Sequence, residues 1–271
     1  MSEGAATGQP RERAAPWRGW CLLAALVVLV VALVPPLLGT ARHSEYAETL
    51  QFSLLAIVVP ALVAIGAPWR RLRLAGDGSP GSSPRLIDRA VDRRRRHREL
   101  PWSLAFIAAD LIAAVAWHVP GGVAAVAQHG WPVLLEAVTL LVLGLGLWLE
   151  LVASPPLIPR SSYLRRAVLA ALVMWTFWIL AYTVGLSNHD FYRTFHHAGG
   201  GLSAGADQQI ASAVLWFVAA IAFVPVIFWN ALQWLKTEED PDTELLALTK
   251  AERRRGTPPM TGKRGGAAPA S

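Results

Sequence analysis

A single cysteine, Cys21, stands in a chain of 271 residues. That excludes a disulfide framework, a C-x-x-C pair for redox or zinc chemistry, and the C-x-x-C-H attachment motif of c-type haem. Methionine is nearly as scarce. Met1, Met174 and Met260 leave no run of thioethers to carry copper on soft donors. Charge is thin as well: Asp, Glu, Lys and Arg make up 16% of the chain, where a soluble domain carries about a quarter. No phosphate-binding G-x-x-x-x-G-K-[ST], no G-x-S-x-G and no H-E-x-x-H occurs, so nucleotide, serine-hydrolase and zinc-peptidase chemistry have no motif to rest on. There is no internal repeat. An enzyme is not expected.

What the chain has in quantity is apolar residues, 54% of the total, and they come in blocks. The first runs over residues 19–38, long enough to cross a hydrocarbon core of about 30 Å. Further blocks cover 49–67, 101–117, 133–152, 167–186 and 209–234. The expected fold is therefore all-α, a polytopic transmembrane bundle of six spans over 19–235. A polar N-terminal segment (1–18) and a charged, Pro- and Gly-rich tail (236–271) are expected to be cytoplasmic and disordered. The net charge of +6 is distributed as a membrane topology demands. With six spans, the N-terminus, the 70–100 loop, the 153–166 loop and the tail share one side, and they hold 23 of the 25 Lys and Arg. Arg42 and Arg193 are the exceptions. The positive-inside rule then gives both termini inside. The 70–100 loop alone has ten arginines, including the run 93–96, and reads as a topogenic loop in contact with anionic lipid. Nucleic acid is not expected as a partner.

Histidine segregates the other way. Of seven, His43, His118, His129, His189, His196 and His197 fall on the outer side and only His97 inside. Carboxylates and amides join them at the outer ends of the blocks: Glu48 and Gln51 on the second, Glu136 on the fourth, and Asp207, Gln208 and Gln209 at the start of the sixth. Imidazole suits copper or zinc, and carboxylates can complete a shell. The loop 187–209, with His189, His196, His197 and glycines 199–201, lies between the last two blocks and could fold over the same level. The bland alternative is that these groups are solvated or sit among headgroups. Asp110 is different, because it falls in the middle of the third block. An ionisable group there must face protein or water, either gluing helices together or relaying protons or ions. Residues 118–132, rich in Gly, Pro and His, read as a break between spans.

Three stretches resemble one family. Residues 60–69 (P-A-L-V-A-I-G-A-P-W), residues 117–120 (W-H-V-P), and Asp207-Gln208-Gln209 followed by Trp216 are similar, in order and placement, to the CtaG-type cytochrome c oxidase assembly factors. The resemblance covers about residues 45–235. It implies a multi-pass protein of the bacterial inner membrane, with oxidase subunits as partners and copper delivery or insertion at the outer face as its task. It also implies metal ligands, of which His118 is retained. Family histidines one turn apart at the outer end of the second span correspond here to Glu48 and Phe52, and another corresponds to Ala137 beside Glu136. The candidate metal set is then His118, Glu48, Glu136, His189, His196 and His197. Two alternatives stay open: a membrane scaffold of a respiratory complex that binds no metal, and a small transporter using Asp110.

Overall fold

The computed structural model describes residues 16–69, 71–72, 74, 87–89, 91–92, 102–159, 161–187, 189–195 and 202–238. The termini and the arginine run 93–96 lie outside these residues. Among the described residues the structure is helical, with no strand beyond an isolated bridge between Ser154 and Leu157. The helices are α1 (Trp17–Leu33), α2 (Leu37–Ala41), α3 (Glu45–Gly66), α4 (Trp102–His118), α5 (Pro120–Gln128), α6 (Gly130–Leu151), α7 (Tyr163–Gly185) and α8 (Ala204–Glu238). By internal packing the chain divides after Ala231 into a bundle and a C-terminal segment, which is described only as helix over residues 232–238.

Among the described residues, four helices are long and apolar enough to cross a membrane: α3, α6, α7 and α8. A fifth span results if α4 and α5, bent by 68°, count as one. The protein is thus a helical membrane protein. The first apolar block, expected as one span over 19–38, is broken: it is helical over Trp17–Leu33, 17 residues and shorter than the four spanning helices, and again from Leu37. Proline explains the stop. Pro35 and Pro36 cannot donate to the carbonyls a turn earlier, and the chain restarts as α2.

The expected break at 118–132 needs correcting, because residues 120–128 form α5. Val119 is extended, as a residue before proline prefers, and Pro120 occupies the first turn of the new helix. Gly122 makes the bend possible: a Cβ there would lie 2.6 Å from the carbonyl oxygen of Ala116.

The bundle is organised around α3. Two thirds of its membrane-length window (67%) is buried inside the protein, against 22% for α8. α1 packs along its second half and α6 along its middle, while α4 packs on α6. In lipid there is no hydrophobic force between helices, so association depends on close packing and on polar contacts. A close approach of backbone to backbone is at Gly144 of α6. Residues 54–58 of α3 form a π turn just before Pro60. Pro60 has no N–H to give the carbonyl of Ala56, its partner four residues back. Gly144 sits against that carbonyl, with room for no side chain: a Cβ would lie 2.7 Å from the Ala56 oxygen and 3.0 Å from Pro60 Cγ. α8 is joined to α7 by a small-residue contact, Ser212 against Gly185 with Ser212 Oγ donating to the Ala181 carbonyl at 2.7 Å, and elsewhere through large side chains. Phe223 stacks on Trp148 at 5.0 Å, Trp216 stacks on Trp178 at 5.1 Å, and Trp178 Nε1 donates to the Trp216 carbonyl at 3.2 Å. Phe52, Leu55, Leu140, Leu147, Phe177 and Phe223 complete the core.

Gly144→Ala should therefore destabilise the bundle by about 1 to 3 kcal/mol, the usual cost of overpacking a tight site. Thermal denaturation in detergent would show it as a lowered midpoint, and an unchanged midpoint would mean that α6 is not held against α3 here.

Candidate functional site

At one end of the bundle, the outer end in the topology expected from the charges, polar side chains turn inward. The first to place is His118, the last residue of α4. Ile107, Asp110, Ala114 and His118 recur at helical spacing and are all buried, so one stripe of α4 faces the bundle. His118 is 4% exposed. Its ring lies 4.6 Å from that of Phe52 and 6.2 Å, edge to face, from that of Tyr192. Its backbone carbonyl accepts a 2.7 Å hydrogen bond from the Tyr192 hydroxyl. Its Nδ1 is buried and has no hydrogen-bond partner among the described residues.

α3 supplies two carboxylates. Glu45 and Glu48 are separated by three positions, nearly one turn, and both are buried, as are Gln51 and Phe52 further along. Glu48 accepts from Thr49 Oγ1 at 3.4 Å, and Gln51 Nε2 donates to the Ala32 carbonyl at 2.6 Å. α6 adds Glu136, 2% exposed, whose Oε1 has no partner. The carboxylates of Glu48 and Glu136 stand in each other's field, and Glu45 feels Asp207, Glu48 and Asp190. Tyr192 completes the group from the loop. Burial, aided by the charges of Glu48 and Glu45, pushes its phenol well above the ordinary tyrosine value, so it stays a neutral hydrogen-bond donor.

Asp207 and Gln208, adjacent at the start of α8, hold this end together. The first turn of a helix leaves N–H groups without partners. For α3 the usual remedy would be the N-cap residue, Ser44, but its side chain makes no cap bond. Ser44 Oγ instead donates to Asp207, at 3.1 and 3.3 Å, and the Asp207 carboxylate accepts from the N–H groups of Glu45 and Tyr46, each at 2.9 Å. A residue about 160 positions away thus caps α3, and its negative charge complements the helix dipole. Gln208 does the same for the loop. It accepts from Phe191 N at 2.9 Å and donates to the carbonyls of Val184 and Ser187 at 2.7 and 3.2 Å.

Of the candidates read from the sequence, His118, Glu48 and Glu136 are gathered in one buried region. Asp207 and Gln208 adjoin it, occupied as structural anchors. Gln209 is exposed on α8 and His189 is exposed in the loop, while His196 and His197 lie outside the described residues. Asp110 is buried deeper on α4, with Oδ2 unpartnered. Glu45 and Tyr192 were not among the candidates. Glu45 was missed because the helix was expected to begin at residue 49 rather than 45, which put Glu45 in a loop. Tyr192 had one signal, its place among the aromatics Phe191 and Phe195 in an otherwise polar loop. Among the described residues, no three His, Cys, Asp or Glu side chains are grouped closely enough to hold a metal ion.

Residues 4–237 match the model of the cytochrome c oxidase caa3 assembly factor family. The chain belongs to this family. No curated protein and no solved structure matches it. The match spans the whole bundle, including the buried polar end described above. Both the helix carrying Glu48 and the one carrying His118 fall inside it.

Removing the carboxylate that caps α3 should weaken this assembly factor measurably. Asp207→Ala is expected to cost about 1 to 2 kcal/mol, the upper range for a lost helix cap, with Asp207→Asn intermediate. Hydrogen exchange at the amides of Glu45 and Tyr46 is the direct readout. Unchanged protection in Asp207→Ala would show that the cap is not made.

Proposed function

We propose that this assembly factor acts without catalysis at the outer face of a bacterial cell membrane, where its buried polar end handles copper for the maturing oxidase. Family membership supports the oxidase as partner. The observation that carries the copper reading is the state of His118 and Glu136. Each is almost fully buried in the same region, and each has a polar atom, Nδ1 and Oε1, that no group among the described residues satisfies. Unpaired buried polar atoms are costly and call for an explanation. Imidazole and carboxylate donors together suit copper(II) or zinc, whereas copper(I) favours imidazole over carboxylate donors. His118 would then be the anchoring ligand, with Glu48 and Glu136 contributing to a divalent ion and His189, His196 and His197 to copper(I).

Titrations of purified protein with copper in both oxidation states decide the matter. We expect wild type to take up copper, His118→Ala to lose at least tenfold in affinity, and the His196→Ala/His197→Ala double variant to lose copper(I) selectively. Equal, weak uptake by all three would remove the copper site. A second reading is favoured by the lack of any ready three-donor group among the described residues: a scaffold that docks on the oxidase through its helices and binds no metal. It predicts normal oxidase maturation in the His118→Ala strain.

The outer placement rests on a topology of six spans with both termini inside, which counts α1–α2 and α4–α5 as one span each. The distribution of arginine and lysine supports it. Reporter fusions after Ser83 and after Gly200 are expected in opposite compartments, and the same compartment for both would overturn this topology.

A further inference from the structure

The buried site is shut. His118, Glu48 and Glu136 are each no more than 4% exposed, so an ion from solution reaches none of them without movement of something above. What stands above is residues 191–195. Tyr192 is 4% exposed and Phe195 7%, unusual for a short loop between polar neighbours. Phe195 ends a single 3₁₀ turn, Arg193–Phe195, that contacts α5. Together Val123 of α5, Val184 of α7, Tyr192 and Phe195 form an apolar cluster separate from the main core, flanked by Ala127 and Phe191. Small satellite clusters under loops are less stable than a main core and open first.

We propose that residues 191–195 are a lid over the His118, Glu48 and Glu136 site, with Tyr192 as its latch. This rests on reading those three residues as the working site. The latch has two polar fastenings besides the apolar cluster. The Tyr192 hydroxyl donates to the carbonyl of His118 at 2.7 Å, and the Phe191 N–H donates to Gln208 at 2.9 Å. The first of them ties the lid to the very residue it covers. It engages the last turn of α4, where helix carbonyls lack internal partners, so lifting the lid frees both the ring face of His118 and its helix end. The bend before α5 contributes as well. Because α5 turns away at 68°, it offers Phe195 a side to close against instead of continuing as a straight span. A shut lid also keeps solvent from the unpaired atoms of the site until a partner or a cargo ion offsets the cost of opening.

The test is the reactivity of a thiol placed in the site. With Cys21→Ser to remove the native cysteine, Glu48→Cys puts a thiol under the lid, and Ala170→Cys, fully buried on α7, puts a control in the main core. Both are treated in proteoliposomes with a water-soluble thiosulfonate. Tyr192→Phe removes the latch bond while keeping the ring. It should speed labelling at position 48 about fivefold, the population change that matches one ordinary buried hydrogen bond, and leave position 170 unchanged. Phe195→Ala, which removes the apolar closure, should act in the same direction and more strongly. The lid is overturned if position 48 labels equally fast with and without the latch in both variants, or if position 170 accelerates by the same factor. Labelling needs no copper, so a failed copper titration with a positive labelling result removes the cargo and keeps the lid. The opposite pair of results removes the lid and keeps the cargo.

Discussion

The first turn of α3 lies inside the protein, and its free N–H groups must be satisfied there. A buried backbone donor without a partner costs as much as a lost hydrogen bond, and most helices avoid the problem by starting at a wet surface. Here Asp207 meets it, accepting from Glu45, Tyr46 and the Ser44 hydroxyl. That one constraint sets the level at which α8 begins, and the position of the loop depends on it in turn. With Asp207 engaged by α3, its neighbour Gln208 is placed to take the Phe191 N–H and the closing carbonyls of α7. The loop is drawn down, Tyr192 meets His118, and the chemistry-bearing residues become a buried group rather than a ring of surface charges.

The two ends of the bundle solve the problem of buried polarity differently. At the end carrying the 153–166 segment, Arg166 donates to the carbonyls of Ser161 and Pro159 and lies in the field of Glu150, while Trp69 Nε1 donates to Ser154. Charge meets charge or backbone. At the His118 end, among the described residues, no lysine or arginine is one of the groups whose charges act on Glu45, Glu48 or Glu136. Evolution seldom keeps uncompensated carboxylates in a membrane interior unless they serve a purpose. The contrast is what singles out the His118 end in the reading proposed above, and it does so without appeal to a motif.

Packing shows the same division of labour. Where helices must come close, small residues and backbone irregularities do it, as with Gly144 against the Ala56 carbonyl beside Pro60. Where they stand apart, aromatic rings fill the gap, as with Trp148 on Phe223 and Trp178 on Trp216. One such tight contact lies on the α3–α6 seam that carries Glu48 and Glu136.

Much of this was legible in the linear chain. Apolar blocks separated by polar breaks specify helices in a membrane, because hydrophobicity and helical repeat are local properties that each segment carries by itself. Proline marked where helices stop, and the stripe Ile107, Asp110, Ala114, His118 follows from helical spacing alone. The inward side of His118, Glu48 and Glu136 was readable as a level, not as a contact. What the tertiary structure decided concerns partners distant in sequence: Asp207 capping a helix that begins about 160 residues earlier, Tyr192 fastened to His118, and residues 120–128 folded into a helix that packs against Tyr192 and Phe195 instead of a loop between spans. No local signal states these, since a hydrogen bond depends on where two segments meet and neither segment encodes the other's position.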